Sequence, residues 1–146
     1  MLAGGDRLSI GDGEFLHRKI PVSTGWYDLA VSPKPSPEAF GPHRIRDITG
    51  ISLDRAYSEL HPQFRTPEQS ATGKSVSGYY VAVLLVGDLR ACGIEVNASP
   101  EPDNPGHVEL PGLRGDNKQS REVQEAMQLL ARKLTISVLG PFFPEI

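Results

Sequence analysis

The chain has 146 residues and a mass near 15.9 kDa, enough for one domain with its own core. Apolar residues make up 38% and charged residues 23%, a globular balance, and a net charge of −3 disfavours a general nucleic-acid binder. There are 15 glycines and 13 prolines, 28 residues together; this is 19% of the chain against a usual share of about 12%, and it excludes a simple helix bundle or coiled coil.

Residues 1–13 lack a basic region followed by an apolar stretch, so no signal peptide is read and a flexible lead is expected. The glycine- and proline-free window 14–20 predicts a strand stopped by Pro21. Aromatic and β-branched content over 26–31, after Ser23, Thr24 and Gly25, predicts a second strand paired with the first as a hairpin. Pro33, Pro35 and Pro37 favour an extended, polyproline-like path over 32–46. A short strand from Ile51 is expected to turn into a helix at Asp54, with that carboxylate as N-cap. Residues 61–78, rich in Pro, Ser, Thr and Gly, read as an exposed loop.

The run 79–86 is apolar on both alternating faces and predicts a central strand covered on both sides. A short helix over 89–92, a strand over 94–98, an acidic proline-rich loop over 100–105 and a strand over 107–110 follow. Val123, Ala126, Met127, Leu130 and Leu134 form one apolar stripe at helical spacing. The helix is expected to begin near Asp116, with Asp116 and Gln119 as a capping box, and to end at Gly140-Pro141. The tail over 141–146 carries Phe142 and Phe143, which favours docking on the chain's own core over anchoring a partner.

The order of elements predicts an α+β fold. It is a small mixed or antiparallel sheet of about five to six short strands, packed by one long C-terminal helix, with a single domain over 14–140. The lone Cys92 excludes a disulfide framework and reads as a small buried hydrophobe. No apolar run approaches the roughly 20 residues needed to cross a bilayer, so a soluble cytoplasmic protein without membrane contact is expected.

No complete catalytic motif is present. Gly73-Lys74-Ser75 imitates the end of a phosphate-binding loop, but Glu68 stands where that loop needs glycine. His107 and Glu109 share one strand face, where they suit acid–base work or metal holding; a solvated strand face is the favoured reading. His17, His43 and His61 are isolated and read as surface or turn residues, so neither metal nor cofactor is expected. Residues 14–46 hold Arg18, Lys19, Lys34, Arg44 and Arg46 against Glu14, Asp28 and Glu38, with Trp26 and Tyr27 among them as candidate binding residues. Strand alternation turns Arg18 to the face of Leu16, where a salt bridge to Asp28 is expected.

Three segments in order carry a resemblance: 16–21 (LHRKIP), 50–56 (GISLDRA) and 104–113 (NPGHVELPGL). The chain is similar to small uncharacterised bacterial proteins with L-x-R-R-I-P, G-L-S-V-D and late P-x-H-A-x-[IV]-x-G-L patterns, departing from them at Lys19 and Val108. The resemblance implies no assigned activity and marks Arg18, Ser52, Asp54 and His107 as a recurring set. The first functional expectation is a small bacterial accessory protein acting by contact with another protein, in a defence or conflict operon, through Trp26, Tyr27, Phe142 and Phe143; self-association is compatible with it. The alternative is a small toxin-like enzyme, a nucleotide-handling transferase or nuclease, in which Arg18, Ser52, His107 and Glu109 converge: Arg holds phosphate while His or Glu moves protons.

Overall fold

The computed structural model describes residues 9–55, 78–102 and 105–142. One six-stranded antiparallel sheet organises them, with strands β1 (Phe15–Pro21), β2 (Ile51–Arg55), β3 (Tyr79–Leu85), β4 (Asn97–Ala98), β5 (His107–Leu110) and β6 (Ser137–Phe142). The order across the sheet is β4-β5-β2-β1-β3-β6. Helix α1 (Val86–Ala91) follows β3, and α2 (Arg121–Leu129) precedes β6. The α+β class therefore holds, with an antiparallel rather than mixed sheet.

β3 is interior, as its apolar run predicts, and pairs with β1 from Tyr79 opposite Pro21 to Leu85 opposite Phe15. The partner of β1 is thus β3 and not residues 26–31, which form turns instead of a strand. A 3-10 turn over Val22–Thr24 ends at Gly25, Asp28 Oδ1 accepts from Ala30 N at 3.0 Å, and the Asp28 carbonyl accepts from Val31 and Ser32. The aromatic content there serves packing: Tyr27 meets Tyr80 edge-on, with centroids 4.7 Å apart. The proline segment is not extended throughout either. Ser36 Oγ accepts from Glu38 N, Pro37 fills the first position, and a 3-10 turn over Pro37–Phe40 drives Ala39 and Phe40 into the core.

Asp54 lies within β2, opposite His17 and His107, so it caps no helix; residues 56–77, with His61 and most of the loop expected over 61–78, lie outside the described residues. The expected long helix is shorter than its apolar stripe. Ser120, not Asp116, is the N-cap and accepts from Val123 N at 3.2 Å. The α-helix ends at Leu129, and a π-turn over Leu130–Leu134 follows, closed by Thr135 N and Oγ1 on the Leu130 carbonyl. Val123, Met127, Leu130 and Leu134 are all buried, so the stripe faces the core. Gly140 and Pro141 do not end a helix; they sit inside β6, where Phe142 packs against Tyr79 at 5.7 Å. Phe143 lies outside the described residues.

Cys92 is exposed, contrary to expectation: α1 buries Val86 and Leu89, and Cys92 follows in the turn to Gly93, rotated off that stripe. Residues of the lead are anchored, since Ile10 is buried and its carbonyl accepts from Arg90. Nearby, Arg55 grips Glu14 with two hydrogen bonds of 2.9 and 2.8 Å. Burial pushes the Glu14 pKa up, but these bonds, Gly11 N and the charges of Arg55 and Arg90 outweigh it, so the net shift is downward. A carboxylate with a lowered folded pKa stabilises the fold above its unfolded value of 4.5 and loses that contribution as pH falls through the folded value. Urea unfolding at pH 7 and pH 3 should therefore show Glu14→Gln about 1 kcal/mol less stable than wild type at pH 7 and closer to it at pH 3.

Candidate functional site

The site lies where β1 and β2 part. Only Leu16 with Arg55 and His17 with Asp54 pair between them. Beyond those pairs the Arg18 side chain bridges the gap. Its Nε donates to the Ala39 carbonyl and its Nη1 to the Ser52 carbonyl, both at 2.9 Å. The expected bridge to Asp28 is therefore not formed: Asp28 is occupied in its own turn, and backbone carbonyls from two other segments hold the guanidinium. Among the described residues no carboxylate lies within ion-pair distance of Arg18, and its Nη2 has no protein partner. Burial pushes the Arg18 pKa down, opposed by the charges of Asp47 and Asp54 and reinforced by Arg46. Lys19 is likewise pushed down by burial and opposed by Asp54, and its Nζ stands 5.3 Å from the centre of the Tyr79 ring.

Arg18 opens onto a cleft of about 570 Å³ whose lining includes Lys19, Trp26, His43, Arg46, Ser52 and Lys118. Arg18, Lys19, Arg46 and Lys118 stand against the two carboxylates of the cleft, Glu38 and Asp47. Glu38 already pairs with Lys118 at 3.1 Å, and Asp47 accepts from His43 N. The remaining balance is cationic. His43 is a turn residue, as expected; its Nδ1 accepts from the backbone N–H of Ile45 and Arg46 at 3.1 Å.

Behind the cleft, β2 and β5 pair with Ser52 opposite Glu109 and Asp54 opposite His107. Ile51 and Leu53 turn to the core, so Ser52 and Asp54 share the other face of β2. His107 Nε2 lies 2.9 Å from Ser52 Oγ and Nδ1 lies 2.8 Å from the Ser99 carbonyl. A carbonyl only accepts, so Nδ1 carries the hydrogen; in the neutral ring Nε2 then accepts a hydrogen bond from the Ser52 hydroxyl. The Glu101 carboxylate stands 3.8 Å from Nδ1. His107 is only 8% exposed, so the solvated strand face expected for it is corrected: the ring is enclosed and hydrogen-bonded at both nitrogens. His17, expected at the surface, is also buried.

Of the predicted set, His107, Ser52 and Asp54 gather on one face of the sheet, whereas Arg18 stands on the core face with Leu16 and meets Ser52 only at its backbone carbonyl. Glu109 is turned elsewhere and accepts from Thr49 Oγ1 at 2.9 Å. Trp26 lines the cleft, while Tyr27 and Phe142 pack on Tyr80 and Tyr79 within the chain. Arg46, part of the basic stretch 14–46, is a wall residue of the cleft, whereas nothing in the sequence marks Lys118 as one. Among the described residues no group of three or more His, Cys, Asp or Glu is placed to hold a metal, and no helix is long and apolar enough to cross a membrane. No protein-family profile, no curated protein and no solved structure matches the chain.

Proposed function

We propose that this protein binds an anionic, phosphate-bearing ligand with an aromatic group, of the nucleotide class, in the cleft between β1 and β2. The observation that carries this reading is Arg18: a half-buried guanidinium lining a cleft, held by neutral carbonyls, with no carboxylate within ion-pair distance among the described residues and Asp47 and Asp54 acting on it only from further off. A cation partly withdrawn from water gains from a counter-charge, and a phosphate supplies one together with acceptors for the spare N–H groups. Trp26 offers a stacking surface in the same cleft, and the volume falls within the usual range for small-ligand sites.

Trp26 is the only tryptophan, so its fluorescence reports on the cleft directly. Adenosine monophosphate should change that emission saturably, inorganic phosphate should compete, and adenosine alone should bind at least about tenfold more weakly. Rising salt should weaken the nucleotide. An emission unchanged by any nucleotide, or adenosine binding as tightly as its phosphate, contradicts the reading.

Contact with a protein partner is a second reading, which would include the accessory role in a defence operon. It is favoured by Leu29, Val31, Ile45 and Ile48, four large aliphatics exposed on the loops that carry Trp26 and Arg46.

A further inference from the structure

We infer that the ligand of this protein is a stretch of single-stranded nucleic acid, lying in a groove of which the cleft at Arg18 is only the middle. This rests on the nucleotide reading of that cleft and names the polymer to which the nucleotide belongs. The Arg18 cleft has two neighbours. One, of about 600 Å³, shares Pro42, His43 and Lys118 with it and continues over Arg44 to the loop 115–120. The other, of about 310 Å³, shares Trp26 with it and continues between the loop 25–36 and Arg132, in the π-turn that follows α2. Lys34 lines this last cleft and ties its loop to the end of the π-turn, where Nζ donates to the Thr135 carbonyl at 2.7 Å. The neighbours share different residues with the Arg18 cleft, so the three form one groove with that cleft between the other two.

Each cleft alone is of the size of one small-ligand site, so a mononucleotide fills one and leaves two open. Positive charge runs the whole length. The chain carries a net −3, yet each of the three clefts holds more Lys and Arg than Asp and Glu. The carboxylates of the outer clefts are engaged like those of the middle one: Asp116 pairs with Arg114 at 3.1 Å, and Asp28 accepts from Ala30 N. Arg44, Arg46 and Arg132 make no ion pair among the described residues. A sugar–phosphate backbone brings a row of anions to such a groove, and Trp26, at the junction of two clefts, is placed to stack a base between two phosphates. An acidic peptide would meet the cations but brings no base to the indole.

The test follows Trp26 emission of the intact chain with 5′-phosphorylated triadenylate, in ribo and deoxyribo forms, beside adenosine monophosphate. At least one trinucleotide should bind at least about tenfold more tightly than the mononucleotide, and the tighter form tells RNA from DNA. Its log affinity should fall with log salt at a slope of about −2, as three contacted phosphates require. Arg44→Gln and Arg132→Gln together, both at exposed positions, should bring the trinucleotide down to the affinity of the mononucleotide. Adenosine monophosphate that binds while neither trinucleotide gains overturns the groove and leaves the single-cleft reading standing; silence towards all three removes both. An unchanged trinucleotide affinity in the folded double variant also overturns it. If that variant does not fold, a salt slope no steeper than that of the mononucleotide overturns it instead. A tetraglutamate peptide that displaces the trinucleotide at equal concentration would replace the nucleic acid with an acidic peptide.

Discussion

Arg18→Met should lower the free energy of unfolding by about 3 kcal/mol and weaken nucleotide binding by at least about tenfold. Methionine matches the apolar stem of the side chain, stops short of the guanidinium and donates nothing. The Ala39 and Ser52 carbonyls would each lose a charged donor at 2.9 Å, and bonds of that kind contribute about 1.5–3 kcal/mol. Burial of the new thioether offsets part of that loss. Arg18→Lys should fall between, because one ammonium on a flexible stem cannot serve two carbonyls from separate segments and a phosphate at once. Urea unfolding checks the first effect. A wild-type midpoint for Arg18→Met would mean that the guanidinium does not join these segments, and the site built on it would fail as well.

Gly50→Ala should be among the most damaging glycine-to-alanine changes at the described residues, at about 3 kcal/mol or more. Gly50 has φ +136°, a region that side chains rarely enter. An added Cβ would also stand 2.5 Å from the Leu110 carbonyl oxygen and 2.9 Å from Pro111 Cα, both backbone atoms with no room to move alone. Relief requires β2 to shift away from β5 at the pair Ile51–Leu110. Ser52 and His107 are placed by that same register, so their 2.9 Å hydrogen bond should be lost with it. Gly112→Ala is the control, since nothing lies within 4 Å of its added Cβ, and it should stay within about 0.5 kcal/mol of wild type. Thermal melts of the two variants side by side decide the point.

The parts of the fold written in local pattern were legible. β3 and β5 follow from apolar runs and alternation, and the stripe from Val123 to Leu134 faces the core as its spacing requires. Alternation also put Arg18 on the face of Leu16. Its acceptors were not legible, because backbone carbonyls carry no mark of residue type, whereas Asp28 did. β6 escaped for a related reason. Gly140-Pro141 reads as a stop, yet at a sheet edge a proline is tolerated, and the pairing of β6 with β3 is settled by distant residues. Residues 26–31 failed in the opposite direction: aromatic content suggests a strand, but the Asp28 side chain offers the backbone a turn. Ser52 and His107 are 55 positions apart, and only the β2–β5 register brings them together. Each was noticed for its chemistry; their contact belongs to the topology.

The cleft's proposed role turns on an anionic ligand seated against Arg18. Titrating the ¹⁵N-labelled chain with adenosine monophosphate and following its amide and indole resonances tests this directly. The Trp26 indole and the amides of Arg18, Lys19, His43 and Arg46 should shift together with one saturating affinity, and those shifts should vanish in Arg18→Met. Shifts that are absent, that never saturate, or that gather away from the cleft between β1 and β2 would contradict it.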